Sequence, residues 1–348
     1  MAMSGGVDSS VAAGLLADAG HDVVGATLKL WGGPSDSGCC SVADVEDART
    51  VARQLGVKHH VFNFTDLFEE KVVDHYVDRH GDGETPNPCI ECNRHVKFGA
   101  LLDRTRRLGF DALATGHHAR VVHAGESQRL ERGVDAAKDQ SYVLSMLHVS
   151  QLRRVLLPVG TMQKSEVRAW AERRGLATAG KPDSQDVCFI HSGGGRPEFL
   201  STRMRLHPGT LVDRHSGEEV GTVPAVELVT VGQRRGLGLG VGGRRRFALS
   251  VDVPARRVVV GERAHVVARR LALTGWTWVD GPLRAGDRAV AQTSAHGRPV
   301  PCTVLADGLE FDDPQRLVAP GQTVAFYDAQ DPDVVVGSAL AVSSAASG

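Results

Sequence analysis

The sequence lacks an apolar run long enough to cross a membrane, and its first residues do not form a secretory signal peptide. Cysteine is also scarce, because six residues in a chain of 348 are too few for the disulfide framework of a small secreted protein. Hydrophobic residues make up 42% of the chain and charged residues 23%, which excludes a disordered chain. We therefore expect a cytoplasmic globular protein of two or three domains, with reduced cysteines that serve in chemistry or metal binding.

The net charge says little about a polyanionic partner, since the formal charge at pH 7 is only -1. The distribution of charge is uneven, however. Between Arg196 and Arg270 there are 14 arginines, no lysines and 7 acidic residues. This local surplus of positive charge suits a polyanion partner, and it equally suits a solvated arginine-rich surface, so charge alone leaves both open.

A glycine-rich loop opens the chain. The small residues from Ser4 to Gly6 let backbone N–H groups approach and wrap a phosphate. Ser9 and Ser10 are expected to open a helix that continues through Val11–Ala17. The N-terminal dipole of that helix favours an anion, so the sequence predicts a phosphate site here.

Asp8 adds a carboxylate to this predicted phosphate site, which is unfavourable unless a cation lies between them, so we expect Asp8 to bind Mg²⁺ or water. The loop is not a Walker A motif, because the Gly-Lys-Ser/Thr ending is absent. It resembles the SGGxDS pyrophosphate loop of the ATP pyrophosphatase (PP-loop) enzymes. That resemblance implies activation of a substrate oxygen by adenylation, with release of pyrophosphate. The alternative, an ordinary glycine turn before a helix, is disfavoured by the complete match to the loop pattern.

The first half of the chain alternates strand and helix patterns, which indicates an α/β domain with a doubly wound parallel sheet. The predicted strands are Asp22–Leu30, Val57–Phe64 and Asp111–Ala114, and the predicted helices are Val42–Leu55 (with Ser41 as N-cap), Asp66–His80, a helix ending at Leu108, and Lys164–Gly175. Ligands bind beyond the carboxyl ends of such strands, where the N-terminal loop and Thr115-Gly116-His117 would lie. Only Met1 to Met3 precede the loop. Either the first strand is short or the natural chain starts several residues earlier, and we favour the second.

The composition changes near Ser192 to Pro197, where we place a domain boundary. Beyond it we predict strands at Val226–Val231, Phe247–Val253, Arg256–Gly261, Arg288–Thr293, Val300–Leu305 and Gln322–Tyr327; none is predicted at Leu211 and Val212, because Asp213 interrupts the apolar run. Short strands with frequent turns suggest a small barrel, in which Trp276 and Trp278 are strand residues. The expected domains are residues 1–195, a small central basic domain at 196–267 and a C-terminal β-barrel at 268–348.

Cysteines form the second group of candidate functional residues. Cys89 and Cys92 make a CxxC motif on a loop that enters a helix, and Cys188 lies in the segment SQDVCFI. Helix N-termini lower the pKa of thiols and so favour the nucleophilic thiolate. Zinc binding would need a second cysteine pair at suitable spacing, which the adjacent Cys39 and Cys40 do not supply. An iron–sulfur cluster on Cys89, Cys92 and Cys188 stays open as a less favoured alternative.

Longer motifs make the resemblance more specific. They occur in order along nearly the whole chain: TPNPC-x-x-CN-x-x-x-KF (Thr85–Phe98), ATGHHAR (Ala114–Arg120), KDQSYVL (Lys138–Leu144), SQDVCFI (Ser184–Ile190), GQRRGLG (Gly232–Gly238), APGQ (Ala319–Gln322) and the pair Phe326 and Tyr327. Together they resemble the tRNA-specific 2-thiouridylase (MnmA) family. The resemblance implies an adenine nucleotide alpha hydrolase-like PP-loop domain, a small central domain and a C-terminal β-barrel.

The same resemblance implies a reaction. ATP with Mg²⁺ would adenylate the C2 oxygen of a tRNA wobble uridine. Cys188 would receive sulfur as a persulfide from a sulfur-carrier protein or a cysteine desulfurase, and the persulfide would attack C2. Cys92 would be the second nucleophile, leaving a Cys92–Cys188 disulfide.

Binding residues are implied in the same way. Those implied to bind ATP are Ala2, Met3, Ser4, Gly5, Gly6, Val7, Asp8, Ser9, Leu28 and Gly116. Those implied to contact tRNA, or the uridine splayed out of the anticodon loop, are Asn87, Pro88, Cys89, His117, Lys138, Asp139, Gln140 and Gln322. Some members have Asp where Cys89 stands, proposed there as an acid/base, and a thiol is a poorer proton donor at neutral pH.

The resemblance further implies a monomer that acts on tRNAs of the Lys, Glu and Gln type. Two other functions are weighed against it. Another PP-loop ligase, such as an amidotransferase-linked synthetase or a lysidine-type tRNA ligase, would need no cysteine pair. A non-catalytic nucleic-acid-binding module built from the β-rich half would need no ATP. Neither explains two separated cysteine motifs joined to a pyrophosphate loop.

Overall fold

The computed structural model describes residues 1–31, 42–124, 127–183, 187–190, 193–237 and 245–342. The predictions for Cys39, Cys40, Ser41, residues 184–186 and Gly238 fall outside these ranges. In the described N-terminal part, the helices are α1 (Val7–Asp18), α2 (Val42–Gln54), α3 (Thr65–Phe68), α4 (His75–Gly81), α5 (Pro88–Glu91), α6 (Leu102–Arg107), α7 (Val149–Leu152) and α8 (Lys164–Arg173). The strands are β1 (Val24–Lys29), β2 (Lys58–Asn63), β3 (Leu113–Ala114), β4 (Ala119–Ala124), β5 (Ser127–Arg132) and β6 (Val155–Leu156).

The N-terminal sheet is parallel, and the first three residues form its central strand. β1 pairs with β2, and β3 pairs with β6, both in parallel. Met1 to Met3 lie between these two pairs, because Met3 N donates to Ala26 O at 2.9 Å and Ala2 N donates to Ala114 O at 2.8 Å. The strand order therefore reverses on either side of Met1–Met3, and the crevice of such a reversal is where doubly wound sheets bind ligands.

Helices cover both faces of this sheet, as the doubly wound prediction requires. One apolar cluster joins α1, α2 and α8 through residues such as Val11, Val51 and Val167. A larger one lies on the other face and includes Phe68 and Phe98. The doubly wound fold is therefore confirmed.

Two long helices, over residues 65–81 and 88–107, each contain a π-helical stretch. Glu69–Asp74 joins α3 to α4, and Cys92–Leu101 joins α5 to α6. The predicted helices over Asp66–His80 and up to Leu108 are thus confirmed, each as an α-π-α sequence. Such π segments often occur at functional sites, and the two contact each other here.

The start of the first helix differs from the prediction. α1 begins at Val7, so Ser9 and Ser10 lie in its first turn instead of preceding it. Gly6 is the N-cap, with extended backbone angles of φ -94° and ψ 163°. Both serine hydroxyls donate back to Gly6 O, at 3.0 and 2.8 Å, as serines within helices do.

A smaller sheet forms the central part of the chain. Helix α9 (Gly195–Arg203) precedes the strands β7 (Gly209–Asp213), β8 (Glu219–Val223), β9 (Phe247–Asp252) and β10 (Arg257–Gly261), which assemble in the order β8-β7-β10-β9. Leu211, for which no strand was predicted, lies in β7, which pairs on both sides; the Leu211 side chain is fully buried. The strand predicted over Val226–Val231 is wrong. Val226–Leu228 is a 3₁₀ turn, in which buried Glu227 accepts a hydrogen bond from His207 N.

The C-terminal strands close into a six-stranded barrel. They are β11 (Val267–Trp278), β12 (Arg288–Gln292), β13 (Val300–Val304), β14 (Gly308–Arg316), β15 (Thr323–Asp328) and β16 (Val334–Ala341). Closure depends on β11, whose first half pairs with β14 and whose second half pairs with β16. Gly275, at φ +61°, lies where its register shifts. Trp276 and Trp278 are strand residues as predicted, with rings stacked 5.3 Å apart.

A hairpin of the N-terminal part, absent from the predictions, extends the barrel sheet. β4 pairs with β5, and β5 pairs with β16 through the Leu130–Val335 register. The apolar cluster around Phe68 also takes in barrel residues such as Tyr327, and Tyr142 donates from its hydroxyl to Thr323 O at 2.8 Å. The barrel and the N-terminal part therefore share one core. Within the described ranges no helix has the length and hydropathy to span a bilayer.

Candidate active site

The N-terminal loop is held in a tight, phosphate-sized turn. Ser4 N donates to Ser9 Oγ at 3.2 Å. Gly5 has φ +74°, and a Cβ on it would lie 2.3 Å from Asp44 O, so only glycine fits. No side chain caps α1 at Gly6, which leaves the N–H groups of its first turn directed at a potential anion.

Gly116 joins this loop from the neighbouring strand. A Cβ on Gly116 would lie 2.6 Å from Ser9 N and 2.8 Å from the Asp8 carbonyl carbon. The strand end after β3 thus packs directly on the start of α1. The structure brings the two predicted nucleotide-binding segments together, as the parallel-sheet argument requires. Leu28, the predicted adenine neighbour, is buried at the end of β1 in the cluster that contains Phe68.

Asp8 is neutralised by protein side chains. Lys164 Nζ lies 2.6 and 2.7 Å from its two carboxylate oxygens, and His118 Nε2 lies 3.1 Å from one of them. Burial by itself would raise the pKa of Asp8, but the hydrogen bonds from His118 and Lys164 outweigh it and hold that pKa below its usual value. A Mg²⁺ ion bound directly to Asp8 would have to displace the Lys164 ammonium. The expected metal role does not fit this arrangement, and we derive no step through such an ion.

Lys164 also connects the loop to the segment that leads to Cys188. Its ammonium lies 2.9 Å from Asp183 Oδ1, and Asp183 in turn accepts from Lys138 and Arg168 at 2.8 Å each. Burial would raise the pKa of Asp183, yet the hydrogen bonds from Lys138 and Lys164 lower it strongly. Asp183 is therefore a fixed anion five positions before Cys188 in the sequence.

The sequence analysis did not identify Lys164, Asp183 or His118 as site residues. One signal was present for Lys164, which was predicted to begin a helix. A lysine in the first turn of a helix opposes the helix dipole unless carboxylates lie nearby. The nearby carboxylates, Asp8 and Asp183, are 156 and 19 positions away in sequence, so only the fold reveals them.

The CxxC motif spans the start of the long helix. Asn87 is the N-cap and accepts a hydrogen bond from Cys89 N at 3.0 Å, and Pro88 occupies the first helical position. Cys89 is exposed, whereas Cys92, one turn later, is 7% exposed and begins the π-helical stretch. Both are present as thiols.

Cys188 is half-buried and packs against the same apolar cluster that contains Cys92. Its neighbour Phe189 is fully buried, with its ring 6.2 Å from that of Trp31 and 5.6 Å from that of Tyr76. Cys92 and Cys188 thus contact one large apolar cluster, which extends from the N-terminal sheet into the barrel. Cys302 lies in β13 with no exposure, and burial raises its pKa to about 12.

His117 lies in the interior of the site. Its Nδ1 is 2.7 Å from Thr115 Oγ1, and its ring packs 5.8 Å from that of Phe98. Burial lowers the pKa of His117 well below its usual value, so the ring is neutral at pH 7.

The predicted tRNA-contacting residues occupy different environments. Lys138 is paired with Asp183, whereas Asp139 is enclosed and accepts hydrogen bonds from Arg132, Gly133 N and Ser141. Gln140 is exposed and accepts from His118 N at 2.8 Å. Asp139 therefore also has a structural role, and all three tRNA contacts stay predictions.

The barrel contacts the segment that was predicted to contact the base. Gln322 Nε2 donates to Thr85 O, and Thr85 N donates to Pro320 O at 2.8 Å. These bonds fix the chain just before Asn87. Within the described residues, which include Cys89, Cys92 and Cys188, no group of three or more His, Cys, Asp or Glu side chains is placed to hold a metal ion.

Family models match the chain in three consecutive pieces. The tRNA methyl transferase HUP domain matches residues 1–192, the tRNA methyl transferase PRC-barrel domain matches residues 197–262, and the aminomethyltransferase beta-barrel domain matches residues 268–341. The tRNA-specific 2-thiouridylase MnmA of Chloroflexus aurantiacus is 43% identical over 342 residues, covering 95% of each chain. The protein of that name from Salinispora tropica is 45% identical over 353 residues, covering 97% of each.

The chain belongs to the tRNA-specific 2-thiouridylase family. A third member, from a Roseiflexus species, is 43% identical over 366 residues and 97% of both chains. Membership of the 2-thiouridylase family confirms the predicted resemblance and the predicted fold class, a PP-loop domain followed by a central domain and a barrel. Among solved structures, an NMN synthetase from Francisella tularensis covers 53% of this chain and 64% of its own, with a TM-score of 0.31 and 17% identity, values from which nothing is drawn.

Proposed function

We propose that the chain is an ATP-dependent tRNA-uridine 2-sulfurtransferase that forms 2-thiouridine at the wobble position of tRNA. One observation carries the proposal: the ion network Asp8–Lys164–Asp183 links the phosphate loop to the segment that leads to Cys188. The proposal puts a nucleotide site at the Asp8 end of this network and a thiol site beyond its Asp183 end. The names of the full-length relatives support the choice of substrate and transferred group.

ATP binds with its phosphates in the loop from Ala2 to Ser9, against Gly116, and its adenine near Leu28. The N–H groups at the start of α1 hold the phosphates. Lys164 stabilises charge that develops as pyrophosphate leaves, and its ion pairs with Asp183 and Asp8 keep it in position. His118 fixes the Asp8 carboxylate from the other side. Mg²⁺ would accompany ATP and offset phosphate charge, and the proposal assigns no residue of this chain to hold it.

Sulfur transfer follows adenylation of the uridine C2 oxygen. The Cys188 persulfide attacks C2, and AMP leaves with the oxygen. Cys92 thiolate then attacks the Cys188 sulfur, so that a Cys92–Cys188 bond forms, the sulfur–sulfur bond to the base breaks, and C2=S remains. The sulfane sulfur gains two electrons and the two thiols lose them, so the step balances. Their common apolar cluster excludes water from the activated base.

The uridine is read in an unstacked state. The first turn of the long helix contains Asn87, Pro88 and Cys89 and leads to Cys92. Gln322 of the barrel donates a hydrogen bond to the backbone at Thr85, just before this turn. Neutral His117 offers a hydrogen bond without a charge. Further tRNA contacts would come from Lys138, Asp139 and Gln140. The exposed arginines of the central domain would contact phosphates of the tRNA backbone.

The remaining expectations belong to the same proposal. Sulfur comes from a sulfur-carrier protein or a cysteine desulfurase, the tRNAs are of the Lys, Glu and Gln type, and the protein acts as a monomer in the cytoplasm. An iron–sulfur cluster is not part of the proposal.

The direct test is thiolation of an unmodified tRNA transcript with ATP, Mg²⁺ and a persulfide donor. We expect 2-thiouridine at the wobble position with the wild type and with Cys302→Ala, whose cysteine lies in the barrel wall. Cys188→Ser should abolish transfer from the donor. Unimpaired transfer by Cys188→Ser would contradict the persulfide role and favour a PP-loop ligase without cysteine chemistry.

A further inference from the structure

The accessibility of the three cysteines creates a problem for repeated turnover. After sulfur transfer the disulfide of the proposed function would join Cys92, which is 7% exposed, to Cys188, which is half-buried. Reduction of a disulfide requires a thiolate to reach one of its sulfurs in line with the bond. Cys92 Sγ gives a protein reductant little access, and attack on Cys188 Sγ would leave a mixed disulfide on the residue that must be reloaded with sulfur.

Cys89 offers a route to the surface. It is exposed, and it precedes Cys92 by three positions on one helix, since Cys92 itself keeps helical backbone angles of φ -60° and ψ -45°. Residues three apart on an α-helix lie on the same face, with Cα atoms about 5 Å apart. That separation is within the range of about 4.4 to 6.8 Å that a disulfide spans.

The local structure also holds Cys89 in place at the start of a helix. Pro88 begins the helix and Asn87 caps it by accepting from Cys89 N at 3.0 Å, so the thiol lies in the first turn. Helix N-termini favour the thiolate form of such a residue. Gln322 and Pro320 of the barrel anchor Thr85, which keeps this turn from unwinding.

We infer that Cys89 is an exchange thiol that moves the disulfide from the Cys92–Cys188 pair to a Cys89–Cys92 pair, which has one sulfur at the surface. The inference rests on the proposed function. Cys89 thiolate attacks Cys92 Sγ, the Cys89–Cys92 bond forms, and Cys188 leaves as a thiolate ready for the next sulfur. The exchange consumes no electrons. A dithiol reductant protein then attacks the exposed Cys89 sulfur and supplies the two electrons that restore both thiols.

The inference also accounts for a cysteine at the position where some members of the family have Asp. In this chain the exposed Cys89 can form and break sulfur–sulfur bonds, which a carboxylate cannot do. The exchange would release Cys188 before any reductant arrives. Reloading with sulfur and reduction of the CxxC pair could then proceed independently.

The first test maps disulfides after one turnover. Full-length protein carrying the Cys188 persulfide is mixed with tRNA and ATP without reductant, quenched with an alkylating agent and digested with trypsin. We expect wild type to give an internal Cys89–Cys92 disulfide within the peptide His80–Arg94 and an alkylated Cys188. Cys89→Ser should give a cross-linked Cys92–Cys188 peptide pair. A wild-type digest containing only the Cys92–Cys188 link would overturn the inference.

The second test compares turnover with the single-turnover step, using a thioredoxin-type dithiol protein as reductant. For Cys89→Ser we expect the ratio of multiple-turnover to single-turnover rate to fall about tenfold, because the reductant has lost its exposed target. Cys302→Ala should keep the wild-type ratio. Cys89→Asp distinguishes the acid/base role: we expect it to behave as Cys89→Ser, and a wild-type ratio for Cys89→Asp would overturn the exchange role.

Failure of the proposed function itself would look different. In that case wild-type protein would form no 2-thiouridine in the single-turnover step, and neither disulfide would appear in the digest. If only the exchange inference is wrong, 2-thiouridine still forms in the first turnover. The digest then differs only in which two cysteines form the disulfide.

Discussion

At the scale of single residues, the site is held together by ion pairs between one lysine and two carboxylates. Asp8 and Asp183 are both carboxylates, and Lys164 lies between them with its ammonium within 2.6 and 2.9 Å of each. The lysine makes a carboxylate tolerable beside a phosphate, and the second carboxylate positions the lysine. Sequence reasoning recognised that Asp8 needed a cation and chose a metal ion, whereas the fold supplies a side chain from α8.

Replacing Lys164 by alanine should remove most of the adenylation activity. The variant leaves the Asp8 and Asp183 carboxylates facing incoming phosphates without a counter-charge. We expect pyrophosphate release with tRNA and ATP to fall about a hundredfold, as is usual when one stabilising donor is lost. Arg174→Ala removes an exposed ion pair with Asp18 and is the control. Wild-type release from Lys164→Ala would contradict the role given to the lysine.

The ion network of Asp8, Lys164 and Asp183 should lower the free energy of unfolding of the protein in acid. The pKa values of Asp8 and Asp183 are lowered in the folded protein, so both groups bind protons more readily when unfolded. Their stabilising contribution is complete above the ordinary carboxylate pKa and is lost as pH falls through the lowered values. We expect the free energy of unfolding in urea to fall more steeply below about pH 4 for wild type than for Lys164→Met. Identical pH slopes would show that the network does not stabilise the fold.

At the scale of elements, close contacts between glycine residues and the backbone of neighbouring elements bring the site together.

Apolar periodicity and cap residues such as Asn87 are local signals. They made three features predictable: the parallel sheet, the long helices and the helix start that contains the cysteines. The start of α1 and the β4–β5 hairpin were not. Ser9 and Ser10 look like caps until Gly6 is seen to take that place, and β5 is fixed by its partner Val335, which is distant in sequence.

Gly116→Ala should separate two of these elements. Its Cβ would lie 2.6 Å from Ser9 N, so the strand end or α1 must shift. We expect ATP affinity to fall at least tenfold and the free energy of unfolding to fall by about 1–3 kcal/mol. Gly281→Ala, whose Cβ would meet nothing within 4 Å, is the control. Calorimetric titration that gives wild-type ATP affinity for Gly116→Ala would show that the close approach does not shape the nucleotide site.

At the scale of the whole molecule, the domains are not independent. The apolar cluster around Phe68 includes Tyr327 of the barrel, and β5 pairs with β16. Composition alone predicted a boundary near Ser192 and therefore separate units. A composition change marks where the sequence pattern alters, but it contains no information on which faces are later buried against each other. Gln322, predicted from resemblance alone, shows the consequence: a barrel residue holds the backbone next to the CxxC helix.

The central domain should account for part of the salt dependence of tRNA binding. Arg234 and Arg235 are exposed, and no ion pair is seen for them within the described residues. We expect Arg234→Gln with Arg235→Gln to reduce the slope of log affinity against log salt by about one for each arginine that contacts a phosphate. Arg49→Gln, which removes an exposed pair with Glu46 on α2, is the control. An unchanged slope in filter binding would place the tRNA elsewhere.

The central claim is that sulfur passes from Cys188 to a uridine activated at the neighbouring nucleotide site. The most direct measurement loads Cys188 with a radiolabelled persulfide, removes the donor, and follows one turnover with tRNA and ATP. We predict that the label moves to 2-thiouridine at the wobble position, with one AMP formed for each sulfur transferred, and only when ATP is present. Label that stays on Cys188 while 2-thiouridine forms, or label that reaches tRNA without ATP, would contradict the account.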